Sequence, residues 1–161
     1  MTTIAITKNE IACDLQFTHP SGYKFRGSTK IHQVYNPQVY PKPFYIGFSG
    51  AAQECQQVVG WLLNPDGKPP KVRSSEFVVL TADKKMFTFT QPSNWIEINQ
   101  PYYAVGSGSH YATGALASGK TAIEAVRIAA KHDPNTGHGT KLYSFAETKK
   151  PAQGGLNLAQ E

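Results

Sequence analysis

The segment Met1-Thr2-Thr3-Ile4-Ala5-Ile6-Thr7-Lys8 decides how the rest of the chain is interpreted. Apolar and polar side chains alternate along it, which predicts a β-strand. Asn9-Glu10 supplies a turn, and Ile11 to Thr18 is predicted to be the hairpin partner. If Met1 is removed, as is usual before a small residue, Thr2 carries both a hydroxyl nucleophile and a free amine base. On this segment alone an ordinary edge strand is the better interpretation, so the case for a catalytic threonine must come from the rest of the chain.

Composition places the chain among folded proteins with one core. It has 161 residues, of which 40% are hydrophobic and 17% are charged. No apolar run approaches the roughly 18 residues of a membrane span, and no secretory signal is visible, so we expect a cytoplasmic protein without a membrane partner. In that compartment the two cysteines, Cys13 and Cys55, are expected to be buried free thiols. The net charge is +5, but the basic residues are scattered, so no nucleic-acid partner is expected.

Hydrophobic periodicity predicts one α+β domain at residues 1–150, followed by a flexible polar tail at 151–161. Apolar residues recur every three or four positions from Ala51 to Leu63, which indicates a helix. Two more helices are predicted at 110–118 and 121–131, and short strands at 44–48, 77–81, 85–90, 95–98, 102–105 and 141–145. The second of these helices begins with a capping-box pattern.

One nucleotide-binding pattern matches the chain in full. Gly114 to Thr121 reads G-x-x-x-x-G-K-T, the phosphate-binding loop. That loop must follow a strand directly, whereas residues 112–118 favour a helix and the nearest predicted strand ends near Val105. We therefore interpret the match as a helix end at Gly119 followed by a helix start at Thr121.

Six short motifs, in order, resemble the proteasome β-subunit and HslV-like peptidases of the N-terminal nucleophile hydrolase superfamily. The resemblance extends from Thr2 to about Phe145. Each motif alone is weak, and the ordered set is fairly specific. The motifs are Thr2-Thr3-Ile4, Ile11 to Thr18, Thr29-Lys30-Ile31, Gly47-Phe48-Ser49-Gly50, Val105 to Ala112, and Asp133 to Gly137.

The resemblance implies a four-layer α/β/β/α sandwich, in which two antiparallel sheets are flanked by helices. It also implies a threonine endopeptidase without a cofactor or metal, activated by removal of Met1 alone. By similarity, Thr2 is the nucleophile, Lys30 lowers the pKa of groups beside it, and Asp14 pairs with Lys30. The remaining implied roles are amine orientation by Ser107, Asp133 and Thr136, an oxyanion hole at the N–H of Gly50, and substrate binding by Thr18 and Phe48.

Partners and alternatives also follow from the resemblance. It implies a peptide or unfolded-protein substrate, a homo-oligomeric ring and, by analogy, an ATPase unfoldase. Thr136 departs from the family, which usually has serine there, so an added methyl group stands at that position. The alternative function is a catalytically silent, ring-forming structural protein, which applies if Met1 is retained.

We predict that the chain does not bind nucleotides. Titration with ATP, followed by calorimetry, should show no saturable binding, because the glycines of the pattern serve a helix end. ATP binding that disappears in the Lys120→Ala variant would contradict this interpretation.

Overall fold

The computed structural model describes residues 2–145. Met1, the end of the predicted domain at 146–150 and the predicted tail at 151–161 lie outside the described residues. Within residues 2–145, no helix is both long enough and apolar enough to cross a membrane. The elements are β1 (Thr3–Thr7), β2 (Ile11–Asp14), β3 (Gln16–Thr18), β4 (Lys24–Arg26), β5 (Ile31–Val34), β6 (Phe44–Ser49), α1 (Ala52–Leu63), β7 (Glu76–Thr81), β8 (Met86–Gln91), β9 (Asn94–Glu97), β10 (Tyr102–Gly106), α2 (Ser109–Ala117), α3 (Ala122–His132) and β11 (Thr140–Tyr143).

Two antiparallel sheets form the centre of this mixed α/β fold. The first has the strand order β10-β1-β2-β11, and the second has the order β5-β6-β7-β8-β9, while β3 and β4 form a separate hairpin. The predicted pairing of the first two strands is confirmed, with Ile4 opposite Cys13 and Ile6 opposite Ile11. β1 is a central strand because it pairs with β10 on its other side. The edge-strand interpretation of this segment is therefore wrong.

The prediction of one strand from Ile11 to Thr18 is also wrong. The chain leaves the first sheet at Leu15, and β2 and β3 belong to different sheets. The N–H of Leu15 lies 3.1 Å from the carbonyl oxygens of both Gly137 and Gly139, in the turn before β11. This contact with a distant turn ends the regular pairing of β2, and the alternation of side chains within the segment does not reveal it.

Three apolar clusters hold the sheets and helices together. Along β1, Ile4 and Ile6 face the second sheet, whereas Ala5 faces α2 and α3, as the two-residue period of a strand requires. A third cluster joins the other face of the second sheet to α1 through Phe44, Ile46, Phe77, Val58 and Leu62. The first strand is thus buried on both faces, and the small side chain of Ala5 lets the helices approach it closely.

The segment from Gly114 to Thr121 is helical on both sides of a tight connection, as interpreted from the sequence. Gly114 lies within α2, and Gly119 has a φ of +93°, which favours glycine just after a helix. The predicted capping box is confirmed: Thr121 Oγ1 accepts from the N–H of Glu124 at 3.3 Å, and the N–H of Thr121 donates to Glu124 Oε1 at 2.9 Å. No strand leads directly into this segment.

Two adjacent leucines at the end of α1 test the cluster beneath this helix. Leu62 is 0% exposed and Leu63 is 55% exposed. We expect Leu62→Ala to lower the free energy of unfolding by about 2–5 kcal/mol, because it leaves a cavity in a packed core. Leu63→Ala, the matched control, should lower it by less than about 1 kcal/mol. Equal losses in urea titrations of the two variants would contradict the described packing.

Candidate functional site

A fully buried carboxylate at the end of β2 accepts hydrogen bonds from the start of the chain. Asp14 is 0% exposed. Its Oδ1 accepts from the hydroxyl of Thr2, from the N–H of Thr3 at 3.1 Å and from Lys30 Nζ at 2.9 Å. A buried charge is tolerated when it is paired and hydrogen-bonded in this way. The arrangement therefore brings together three of the predicted site residues: Thr2, Asp14 and Lys30.

The second oxygen of the same carboxylate fixes its orientation. Asp14 Oδ2 accepts from the N–H of Gln16 at 3.2 Å and from the N–H of Gly137 at 3.1 Å. Both donors are backbone groups, so they hold the carboxylate in one plane without depending on flexible side chains. Oδ1 is consequently directed towards Thr2.

Lys30 immediately precedes β5 and is 3% exposed. Its ammonium donates both to Asp14 and to the hydroxyl of Thr2, and it lies 5.1 Å from the centre of the Phe17 ring. Burial lowers the pKa of the Lys30 ammonium, and the charge and hydrogen bond of Asp14 oppose that shift. The Thr2 hydroxyl thus lies between a cation and an anion.

Asp133, at the end of α3, is the centre of a second hydrogen-bond network around residues 2 and 3. Its Oδ2 accepts from Ser107 Oγ and from Thr136 Oγ1, both at 2.6 Å. Thr136 Oγ1 also lies 2.7 Å from Thr3 Oγ1, and Ser107 Oγ lies 3.3 Å from the carbonyl oxygen of Thr2. Burial raises the pKa of the Asp133 carboxyl, but the hydrogen bonds outweigh it and lower this pKa overall. The predicted trio is therefore assembled next to residues 2 and 3.

The glycine-rich turn after β10 makes room for this network. Gly106 has a φ of +100°, and a Cβ there would collide with the carbonyl group of Thr2. A Cβ at Gly108 would lie 3.1 Å from Thr136 Oγ1 and would also overlap Thr3 Oγ1. The N–H of Gly108 donates to the carbonyl oxygen of Thr2 at 3.3 Å. The turn and the start of the chain thus approach each other closely through their backbones.

An open cleft of about 700 Å³ lies beside Thr2. Thr2, Thr18, Lys30, Phe48 and Gly50 all line it, whereas the carboxylates of Asp14 and Asp133 support it from within the protein. Gly50 has a φ of +140°, and a Cβ there would lie 2.7 Å from the Cα of Ser75. Glycine is thus required at this wall of the cleft on both conformational and steric grounds. The described geometry brings all nine predicted site residues into or directly behind one cleft.

Further residues of the site, among them Thr3, Gln16 and Glu76, were not identified from the sequence. Thr3 bonds to Thr136, Gln16 lines the cleft, and Glu76 lines the cleft while its Oε1 accepts from the N–H of Gly106 at 3.1 Å. Glu76 reaches the cleft because β7 pairs with β6, which places Glu76 opposite Ser49. A pairing between distant strands leaves no local pattern. For Thr3 a signal was present, since it adjoins the proposed nucleophile.

Comparison with known proteins identifies the fold. No protein-family model and no curated protein sequence matches the chain. Among solved structures, BPH of Thiobacillus denitrificans in complex with epoxomicin superposes with a TM-score of 0.65 at 18% identity, over 89% of this chain and 97% of that one. HslV of Trypanosoma brucei gives 0.62 at 16% identity over 88% and 97%, and a Gly-1 mutant of Anbu from Hyphomicrobium sp. strain MC1 gives 0.66 at 11% identity over 90% and 81%. The chain therefore has a fold like that of HslV, BPH and Anbu.

The Asp133 network generates a prediction for stability at different pH values. Because the pKa of folded Asp133 is lowered, its ionised form stabilises the folded protein above the ordinary aspartate pKa of about 3.9. That contribution is lost as the pH falls through the lower, folded-state pKa. We expect Asp133→Asn to lower the free energy of unfolding by about 1–3 kcal/mol at neutral pH, and by progressively less below about pH 4.

Urea titrations from about pH 7 to about pH 3 measure this difference. Asp66→Asn, in the exposed loop after α1, is the control, and it should change the free energy of unfolding by less than about 0.5 kcal/mol at neutral pH. A loss in Asp133→Asn that stays constant over the whole pH range would contradict the inferred role of the ionised carboxylate.

Proposed function

We propose that the protein is a threonine peptidase in which Thr2 becomes the N-terminal nucleophile after removal of Met1. One observation carries the proposal: the Thr2 hydroxyl contacts both Lys30 and Asp14, and Thr2 lines an open cleft. A hydroxyl between a buried cation and a buried anion, on a residue that lines a cleft, is suited to nucleophilic catalysis. Likeness of fold to HslV and BPH supports the same interpretation.

The chemistry requires the free amine of Thr2. An α-amine has an ordinary pKa of about 7.7–8.0, so a substantial neutral fraction can accept the hydroxyl proton near neutral pH. Thr2 Oγ1 then attacks the carbonyl carbon of a peptide bond, and the ammonium returns the proton to the leaving amine. The resulting ester is hydrolysed by water, which restores the hydroxyl. The positive charge of Lys30 favours the developing oxyanion character of Thr2 Oγ1.

The proposed roles of the cleft residues follow their positions. The N–H of Gly50 is the oxyanion-hole donor, since no side chain of its own shields that group. Thr18, at the end of β3, provides polar groups for the substrate backbone, and Phe48 forms an apolar wall for the side chain that precedes the scissile bond. The ring of His32 stacks on Phe48 with 6.0 Å between ring centres, which restricts the orientation of that wall.

Ser107, Asp133 and Thr136 are proposed to orient the amine of Thr2. Their mutual hydrogen bonds at 2.6 Å leave the network little freedom, and Thr136 is 3% exposed. The methyl group that distinguishes Thr136 from serine is accommodated, because its hydroxyl still reaches both Asp133 and Thr3. Threonine at this position therefore supports the proposed site as serine would.

The finer architecture and the assembly belong to the same proposal. Apolar clusters join α2 and α3 to the first sheet, the first sheet to the second, and the second sheet to α1. These three contacts are the ones that a four-layer α/β/β/α sandwich requires. We propose a cytoplasmic homo-oligomeric ring that degrades peptides or unfolded proteins, with an ATPase unfoldase as partner.

A second candidate function is a catalytically silent, ring-forming structural protein. Thr2 is 1% exposed, and its hydroxyl and carbonyl groups are both hydrogen-bonded. These contacts would also serve a residue that only anchors the start of β1. If Met1 is retained, Thr2 has no free amine and only this structural role is open to it.

Intact-mass spectrometry and peptide hydrolysis distinguish the two candidates. We expect the purified protein to lack Met1 and to hydrolyse fluorogenic peptides, and Thr2→Ala to lower kcat/KM by at least about 10³-fold, because the nucleophile is removed. Thr113→Ala, on the exposed face of α2, is the matched control and should retain the activity. Epoxomicin, which BPH binds in its solved structure, should add its mass to the wild type and not to Thr2→Ala.

Retention of Met1, or hydrolysis that survives in Thr2→Ala, would overturn the peptidase proposal. Retention of Met1 together with ring formation would support the structural protein instead. Native mass spectrometry of the full chain measures the ring in the same samples.

A further inference from the structure

Glu76 places a negative charge at the cleft over Thr2. It is the first residue of β7, its side chain is exposed, and it lines the same cleft as Thr2 and Gly50. Its Oε1 accepts from the N–H of Gly106 at 3.1 Å. Within residues 2–145, the carboxylate of Glu76 forms no ion pair. The side chain is therefore held at one oxygen while its charge remains uncompensated.

The charge balance of the cleft makes this carboxylate distinctive. Lys30 and Glu76 are the charged residues of its lining, and Lys30 is 3% exposed and paired with Asp14 at 2.9 Å. Within residues 2–145, Glu76 thus supplies the accessible side-chain charge of the cleft, although the whole chain carries a net charge of +5. Because the protein as a whole is positively charged, it does not attract cations in general. A negative charge confined to this cleft therefore favours binding of a cationic group at the cleft itself.

The neighbouring basic groups do not cancel this charge. Lys24 lies opposite Thr18 in the hairpin of β3 and β4, and its ammonium donates to the carbonyl oxygen of Pro134 at 2.9 Å. Arg73 flanks the cleft-lining residue Ser74, but no nitrogen of its side chain lies within the 4.0 Å of an ion pair with Glu76. The carboxylate is consequently available to a group that enters the cleft.

The link between Glu76 and Thr2 runs through one residue. Gly106 donates its N–H to Glu76, and its Cα lies so close to the carbonyl group of Thr2 that a Cβ would collide with it. Thr2 and Glu76 also line the same cleft, so a peptide bound in that cleft can contact both residues. We propose that Glu76 is a specificity-determining residue that binds an ammonium or guanidinium group of the peptide in this cleft.

This inference rests on the proposed peptidase function, and it names a substrate class: peptides with a positive charge near the scissile bond. That charge has two possible sources, a lysine or arginine side chain, or the free α-amine of a short peptide. Peptides with an acetylated N-terminus retain only the first source, and peptides with a free N-terminus and no basic side chain retain only the second.

Glu76→Gln isolates the charge, because the amide oxygen of glutamine still accepts from the N–H of Gly106. We expect it to reduce the ratio of kcat/KM for basic over neutral acetylated peptides by roughly twofold to fivefold at low salt, as expected for a solvent-accessible ion pair. The preference of the wild type should weaken as salt is added. Glu97→Gln, on the exposed strand β9 away from the cleft, removes the same charge and should leave the ratio unchanged.

Binding to the Thr2→Ala variant separates this inference from the peptidase proposal. Fluorescence anisotropy with the same labelled peptides should show tighter binding of basic peptides, and that difference should fall in the Thr2→Ala/Glu76→Gln double variant. A charge preference in binding without hydrolysis by the wild type would uphold the inference and overturn the peptidase proposal. Hydrolysis whose charge preference is identical in wild type and Glu76→Gln would overturn the inference alone.

Discussion

The carboxylate of Asp14 is the constraint on which both the fold and the site depend. A charge taken fully out of water costs several kcal/mol unless hydrogen bonds and an opposite charge replace its hydration. Asp14 obtains these from Lys30 and from the chain around Thr2 and Thr3 on one oxygen, and from two backbone N–H groups on the other. The donors come from the start of β1, the start of β3, the segment before β5 and the turn before β11. One buried group therefore fixes the relative positions of segments that are far apart in sequence.

The position of Thr2 is set from two sides. Asp14 holds its hydroxyl, while the Asp133 network and the glycine turn after β10 hold its carbonyl group. A shift of β1 by one residue would turn Ile4 and Ile6 towards the helices and Ala5 towards the second sheet. Both faces are buried, so the core fixes the register of this strand. The register that builds the core is thus the register that presents the Thr2 hydroxyl to the cleft. Packing and chemistry are coupled through the same strand.

Local signals in the sequence predicted much of this arrangement. The capping box at Thr121 and the period of α1 both depend on neighbours in sequence, and both are observed. The break in the predicted second strand at Leu15 and the arrival of Glu76 at the cleft were not predicted. Both depend on backbone pairing with segments far away, and no pattern within a few residues encodes such pairing. The roles of the nine site residues came from resemblance, and the geometry shows only that they lie together.

The energetics of the buried pair favour a chemical role for it. Replacing a buried ion pair with well-packed apolar residues is often neutral or stabilising, so stability alone does not require Lys30 and Asp14 at this place. Here the pair contacts a hydroxyl that lines an open cleft, and Gly50 keeps a backbone conformation that excludes other side chains at the wall of that cleft. A structural anchor for β1 would need no open cleft beside it, whereas the proposed activation of the Thr2 hydroxyl requires one.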